Sequence, residues 1–221
     1  MKIRILLTFM LISISLLAQN KSEEVTFNAK DGLEITADLY KTNEAHPYML
    51  LFHQAGFSRG EYKNTAPIFN NFGYNCLAID QRSGDTANGI INETAKRAKV
   101  KGLSTAYIEA YQDMEAALDY VYKKSGKPVV IVGSSYSAGL VLKLASENIQ
   151  KISKVLAYSP GEYVQGYSLA EWFNSLEVPV FVTSSKSEAE NVADLVKGSS
   201  NDQLIHFTPK GEGHPWLKSV M

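Results

Sequence analysis

Residues 129–139 read VVIVGSSYSAG, a β-branched run that stops at a glycine and passes through small residues into a helical pattern. The pattern predicts a strand, a tight turn and a helix with a serine at the apex. A serine hydroxyl is a weak nucleophile until the backbone thrusts it toward a base and toward amide donors, so such a turn bears directly on chemistry. Small residues two before and two after the apex let the chain turn sharply, and around Ser135 these are Gly133 and Ser137. The tract also reads in a second register with Ser137 at the apex, and Ser134 is a third choice. Because the aliphatic run ends at Val132, the first glycine falls at the strand terminus when Ser135 is the apex, which makes Ser135 the candidate nucleophile. The plain alternative is an ordinary turn, for which Gly and Ser are common residues.

Attack by a serine on a carbonyl needs a base, a group that orients the base, and donors for the developing oxyanion. His214, in a glycine-flanked GEGHP tract after the last apolar run, is placed to be the base. His206 falls inside a strand pattern, His46 precedes a proline, and His53 reads as a structural histidine hydrogen-bonded within its own loop. The orienting carboxylate is expected after the strand that ends at Thr183, where spacing favours Glu188, with Glu190 and Glu162 as alternatives. Charges at a helix start also commonly serve the helix dipole, which is the plain reading of Glu188. For the oxyanion, the backbone N–H of Tyr136 and that of Gln54 or Ala55 are the candidates, Gly56 easing the turn after the strand at 48–52.

These residues need a frame. Period-two alternation at 25–29 and 33–40 around Asp31 and Gly32 predicts a hairpin. Short apolar runs at 48–52, 75–79 and 129–132 suit buried parallel strands, and 154–158, 178–183 and 204–208 read as further strands. A helix is expected near 64–72, a long loop through Asn92, and a long crossover helix over 103–124. Two hairpin strands followed by β-α repeats argue for an α/β fold, a mostly parallel sheet with helices on both faces. Open sheets of this kind gather their chemistry at the carboxyl ends of the strands, where each candidate above falls.

At 221 residues, 45% hydrophobic and with a formal charge of −1, the chain can bury one sizeable core and carries no basic field for nucleic acid. Lys2 and Arg4 precede an apolar stretch, 5–17, that ends at Ala18, a secretory signal pattern. That core is short beside the roughly 20 residues of a spanning helix. The expectation is a signal peptide at 1–18, export to the periplasm or exterior without stable membrane insertion, and a single domain over 19–221. Cys76, the one cysteine, sits in an apolar run and reads as a buried small hydrophobe. No metal-binding or nucleotide-binding motif occurs, so no metal or cofactor is expected, and the oligomeric state is not legible.

Taken together, the hairpin, the HQAG loop at 53–56, the DQRSG tract at 80–84, the elbow at Ser135 and the Gly213-His214 pair resemble α/β-hydrolases of the dienelactone hydrolase-like branch. The order Ser135, Glu188, His214 follows that family's order of nucleophile, acid and base. The resemblance implies the α/β-hydrolase fold and a serine esterase acting on a small-molecule ester through an acyl-enzyme. Three departures stand out: Ser137 replaces a usual glycine, the acid is Glu rather than Asp, and the nucleophile is not the cysteine of dienelactone hydrolases proper. Only seven residues follow His214. Substrate loops are expected at 84–102 and 161–172. Peptidases, thioesterases and acyltransferases use the same triad, and an exported hydrolase-like binding protein would keep the fold without an activated serine.

Overall fold

The computed structural model describes residues 22–210. The expected signal segment, 1–18, and the candidate base His214 lie outside the described residues.

The hairpin forms as β1 (Glu23–Asn28) and β2 (Glu34–Tyr40), antiparallel with Val25 opposite Ala37. Gly32 takes a φ of +78° in the turn, a region closed to most side chains. The chain continues through β3 (Tyr48–Phe52), β4 (Asn75–Ile79), the short pair β5 (Thr86–Ala87) and β6 (Ile90–Ile91), β7 (Val129–Ser134), β8 (Ile152–Tyr158), β9 (Val180–Thr183) and β10 (Leu204–Phe207). Eight strands make one sheet in the order β1-β2-β4-β3-β7-β8-β9-β10, with β5 and β6 apart. β2 runs antiparallel to β1 and β4, and the remaining neighbours are parallel.

Six helices accompany the sheet among the described residues: α1 (Ala66–Asn71), α2 (Glu93–Val100), α3 (Tyr111–Ser125), α4 (Tyr136–Glu147), α5 (Leu169–Asn174) and α6 (Ala189–Val196). Side chains alternate along a strand, so each central strand feeds two cores, which is why β3, β4 after Asn75 and β7 as far as Val132 are apolar on both faces. Leu50, Phe52, Leu77, Ile79, Val129 and Ile131 join the larger core, with Met114 and Leu118 of α3 and Leu140 and Leu144 of α4. Met49, Leu51, Cys76, Ala78, Val130 and Val132 join the smaller one, with Tyr62 and Ala66. Each buried Val, Leu, Ile, Phe or Met among them contributes about 1.5–3 kcal/mol by leaving water. Burial pushes the Cys76 thiol up to about 12, so it packs as a neutral small hydrophobe. Among the described residues no helix is long and apolar enough to cross a membrane.

The structure corrects two expectations. The crossover helix begins at Tyr111 behind a short 3-10 turn, Tyr107–Ala110, rather than at 103. Ser104 Oγ accepts the Ala106 N–H at 3.4 Å, and local bonding of this kind competes with helix formation. The expected loop through Asn92 holds the short strands β5 and β6, and the stretch after it forms α2, whose N-cap is Asn92, accepting the Ala95 N–H at 2.7 Å. Helix α2 buries only Thr94, Ala95 and Ala98, so it carries little apolar periodicity. It packs on β2, where Thr94 Oγ1 accepts the Thr36 N–H, so this part of the 84–102 segment covers the sheet.

Candidate active site

At the end of β7 the backbone of Ser135 adopts φ +57° and ψ −124°, a conformation that L-residues avoid. Ser135 is half-buried while Ser134, Tyr136 and Ser137 on either side are buried, so the turn lifts one side chain out of the packed tract. A Cβ on Gly133 would lie 2.3 Å from the Ser137 carbonyl oxygen, which requires glycine there. The Ser135 N–H donates to the Tyr158 carbonyl at 2.8 Å, and the Ser135 carbonyl accepts from Ala138 N–H at 2.8 Å. Of the alternative serines, Ser137 is fully buried. Its hydroxyl donates to the His53 carbonyl at 2.6 Å and accepts from Gln81 Nε2 at 3.0 Å, which turns it away from substrate.

The loop after β3 lies beside this turn. His53 is buried, its Nδ1 bonded to the Gln54 carbonyl at 2.7 Å and its Nε2 accepting the Gln81 N–H at 2.9 Å. A carbonyl on one side and an N–H on the other dictate the neutral ring protonated at Nδ1. Burial drives its pKa down to about 4, so the imidazole is a structural strut. A Cβ on Gly84 would fall 2.0 Å from the Phe57 carbonyl oxygen and 2.7 Å from the His53 ring, so the two loops touch where only glycine fits. The Gln54 N–H is committed to Glu61 Oε2 at 2.8 Å. Among the described residues, no acceptor meets the Ala55 N–H. The Tyr136 N–H, at the first position of α4, has no intrahelical partner. Of the three candidate amides, those of Ala55 and Tyr136 are thus left without these partners, whereas that of Gln54 is engaged and positions the loop.

Two buried arginines anchor these loops to the sheet. Arg59 binds Asp38, Asp80 and Glu24 at 3.0, 2.6 and 2.8 Å. Arg82, 1% exposed, grips Asp113 with its Nε and Nη2 and reaches Asp31 at 2.7 Å. Paired charges of this kind are tolerated inside a protein only with such complete bonding.

On the acid side, Glu188 closes a short 3-10 turn, Lys186–Glu188, beyond β9. Its Oε2 accepts from the Ser185 hydroxyl at 2.6 Å, the Ser185 N–H at 3.1 Å and the Ser159 hydroxyl at 2.8 Å. These bonds form a capping box at the start of the turn, and the bond to Ser159 adds a link to the end of β8. Ser159, like Ser135, has a positive φ, +53°. Ser135, Ser159 and Glu188 thus follow the adjacent strands β7, β8 and β9. Glu190 is exposed on α6, and Glu162, also exposed, spends its carboxylate on the Leu169 N–H at 3.0 Å. A cleft of about 420 Å³ opens beside Glu188, walled by Pro160, Tyr163, Val192 and Leu195. In the expected substrate segment, Tyr163 and Tyr167 are each 44% exposed, and Tyr167 leans on Trp172 over α4. No group of three His, Cys, Asp or Glu side chains able to hold a metal occurs among the described residues.

A mostly parallel sheet in this order, with a strained serine at a strand-to-helix turn, defines the α/β-hydrolases. Residues 43–207 match the family described as serine aminopeptidase, S33, and the chain belongs to that hydrolase family. The fold is shared with an esterase of Pyrococcus furiosus at 15% identity, over 90% of this chain and 85% of that one, with a TM-score of 0.65. It is shared also with a dienelactone hydrolase from Anabaena variabilis at 15% identity, over 90% and 91% of the two chains, with a TM-score of 0.67. A hyperthermophilic esterase from Pyrobaculum calidifontis aligns at 16% identity, over 93% and 80%, with a TM-score of 0.62. A comparison with curated proteins gives no match. The chain is thus an α/β-hydrolase with the fold of esterases, as the sequence resemblance implied.

Proposed function

We propose that the protein is an exported serine hydrolase that cleaves a small carboxylic ester through an acyl-enzyme on Ser135. The observation that carries this reading is the Ser135 backbone, held at φ +57° between β7 and α4 with its side chain alone lifted from a buried tract. Ser135 Oγ attacks the carbonyl carbon while His214 takes its proton. The N–H groups of Tyr136 and Ala55 hold the oxyanion, and collapse expels the alcohol, which His214 protonates. Water, giving its proton to His214, then attacks the acyl-enzyme and releases the acid and Ser135. Glu188 orients the imidazole and stabilises its cation. No cofactor is needed for these steps.

The family description favours one second reading, in which the same acyl-enzyme forms from an amide and the leaving group is an amine. An aminoacyl amide panel beside an ester panel separates the two.

Labelling of the purified mature protein with a fluorophosphonate, followed by peptide mapping, tests the nucleophile without a known substrate. Modification at Ser135 that is lost in Ser135→Ala and His214→Ala, but retained in Ser137→Ala, is the expected result. A folded protein that takes no label overturns the reading in favour of a hydrolase-like binding protein. Intact mass of protein exported by its host tests the leader, and a chain still beginning at Met1 refutes cleavage.

A further inference from the structure

Beneath the loop after β3 lies a carboxyl group that the steps above do not use. Glu61 sits on the short turn Arg59–Tyr62, and its Oε2 accepts the Gln54 N–H at 2.8 Å. Its Oε1 is buried, and so is the hydroxyl of Ser134, the residue before the nucleophile. Neither atom makes a hydrogen bond among the described residues, and Ser134 is the side chain that partly offsets the effect of burial on the Glu61 carboxyl. Among the described residues no salt bridge balances Glu61, and Arg59, two residues away, spends its guanidinium on Asp38, Asp80 and Glu24. The titratable groups that feel its charge are the phenols of Tyr62 and Tyr136, which burial keeps neutral. A carboxyl group desolvated without a cation is costly unless it is protonated, and a proton on Oε1 is also what the Ser134 hydroxyl can accept.

We infer that Glu61 is a positioning residue for the oxyanion site: it clamps the Gln54 peptide from one side and faces Ser134 from the other, tying the loop that carries the Ala55 N–H to the turn that carries Ser135. The inference rests on the reading of Ser135 and Ala55 given above. The clamp fixes the orientation of the peptide just before the free Ala55 amide. Its loss lets that amide swing, whereas binding of the ester's remote parts is untouched. Loss of a single preorganised oxyanion donor costs about 10²–10³ in kcat, and a loosened donor costs less. Burial pushes the Glu61 carboxyl up to about 7, so alkaline pH places a negative charge beneath the loop that carries the Ala55 N–H.

Two variants separate clamp from scaffold. Glu61→Gln keeps an acceptor for the Gln54 N–H and offers Ser134 a neutral donor, whereas Glu61→Leu offers neither. With 4-nitrophenyl acetate as probe, Glu61→Leu is expected to lose about tenfold to a hundredfold in kcat with KM little changed. Glu61→Gln is expected to stay within about threefold of wild type and to lose the fall in kcat on the alkaline side of neutrality. Hydrogen exchange at the Gln54 amide should be slow in wild type and Glu61→Gln and fast in Glu61→Leu. Wild-type kcat in a folded Glu61→Leu overturns the inference, as does a Glu61→Gln variant as slow as Glu61→Leu. Should Glu61→Leu not fold, an alkaline limb that persists in Glu61→Gln overturns it. Slow exchange at Gln54 in a protein that takes no label at Ser135 sinks the nucleophile assignment instead and leaves the clamp standing.

Discussion

His53 ties the loop after β3 to the loop after β4 only while its ring is neutral, and that makes acid the perturbation to apply. Protonation at Nε2 would point a second donor at the Gln81 N–H, which now donates to it at 2.9 Å, inside a site with no exposed surface. Burial accordingly drives the pKa from 6.5 to about 4. At about 1.4 kcal/mol per pKa unit, the neutral ring is favoured by about 3 kcal/mol in the folded chain relative to the unfolded one. A depressed pKa gives stability that is fully present above 6.5 and is lost as pH falls through 4. Glu61 works in the opposite sense: its raised pKa favours the folded state below its ordinary value of 4.5, and that preference is lost as pH rises through about 7. The wild-type profile alone therefore mixes the two, and His53→Gln isolates the first. Gln retains an acceptor toward Gln81 and cannot titrate, at a pH-independent cost of about 1 kcal/mol for imperfect bonding. Urea unfolding followed by tryptophan fluorescence at pH 4 to 8 should show wild type more stable near pH 7 and the variant more stable near pH 4, a relative change of about 3 kcal/mol. Parallel profiles across that range would refute the reasoning, as would an imidazole whose nitrogen shifts titrate near 6.5.

Two structural substitutions extend the test to the rest of the site. Gly133→Ala sets a methyl 2.3 Å from the Ser137 carbonyl oxygen, a backbone atom that cannot rotate away, so we expect about 2–3 kcal/mol of destabilisation and loss of fluorophosphonate labelling. A variant with wild-type Tm and full labelling would show that the elbow has room. Asp113→Ala leaves the Arg82 guanidinium buried with only Asp31 to pair with, and about 3–5 kcal/mol of stability should be lost, measured by the same urea titration. A loss under about 1 kcal/mol would mean that water reaches Arg82.

The central strands were legible because burial on both faces leaves a signature in the chain itself. The runs at 48–52 and 75–79 became β3 and β4 without a shift of boundary. The elbow was legible because the β-branched run stops at Gly133 and small residues follow, which is what a sharp strand-to-helix turn needs. Helix α2 escaped notice because its buried face is Thr94, Ala95 and Ala98, although Asn92 before Glu93 and Arg97 and Lys99 in the last turn were the cap and charge signals for it. Glu61 and the two arginines escaped for a deeper reason. Arg59 meets its carboxylates at positions 24, 38 and 80, and Arg82 meets Asp31 and Asp113. Nothing local distinguishes such residues from the solvated charges that surround them, and only the folded sheet brings them together.

The same contacts explain how a serine can stand where a glycine is usual in the elbow. Holding Ser135 at φ +57° costs on the order of 1–3 kcal/mol, and such strain persists only where the surroundings over-determine it. The Ser135 N–H is fixed by Tyr158 of β8 and its carbonyl by Ala138 of α4. The Ser137 hydroxyl then bonds the His53 carbonyl and the Gln81 amide, joining α4 to the loops after β3 and β4. A glycine at 137 would satisfy the sterics of the turn and could make neither bond. The substitution therefore adds a tie between the turn at Ser135 and the loop after β3 that carries Ala55. On the other side of Ser135, the Ser134 hydroxyl is buried without a hydrogen bond among the described residues, and it is Glu61 that holds the Gln54 N–H of the same loop.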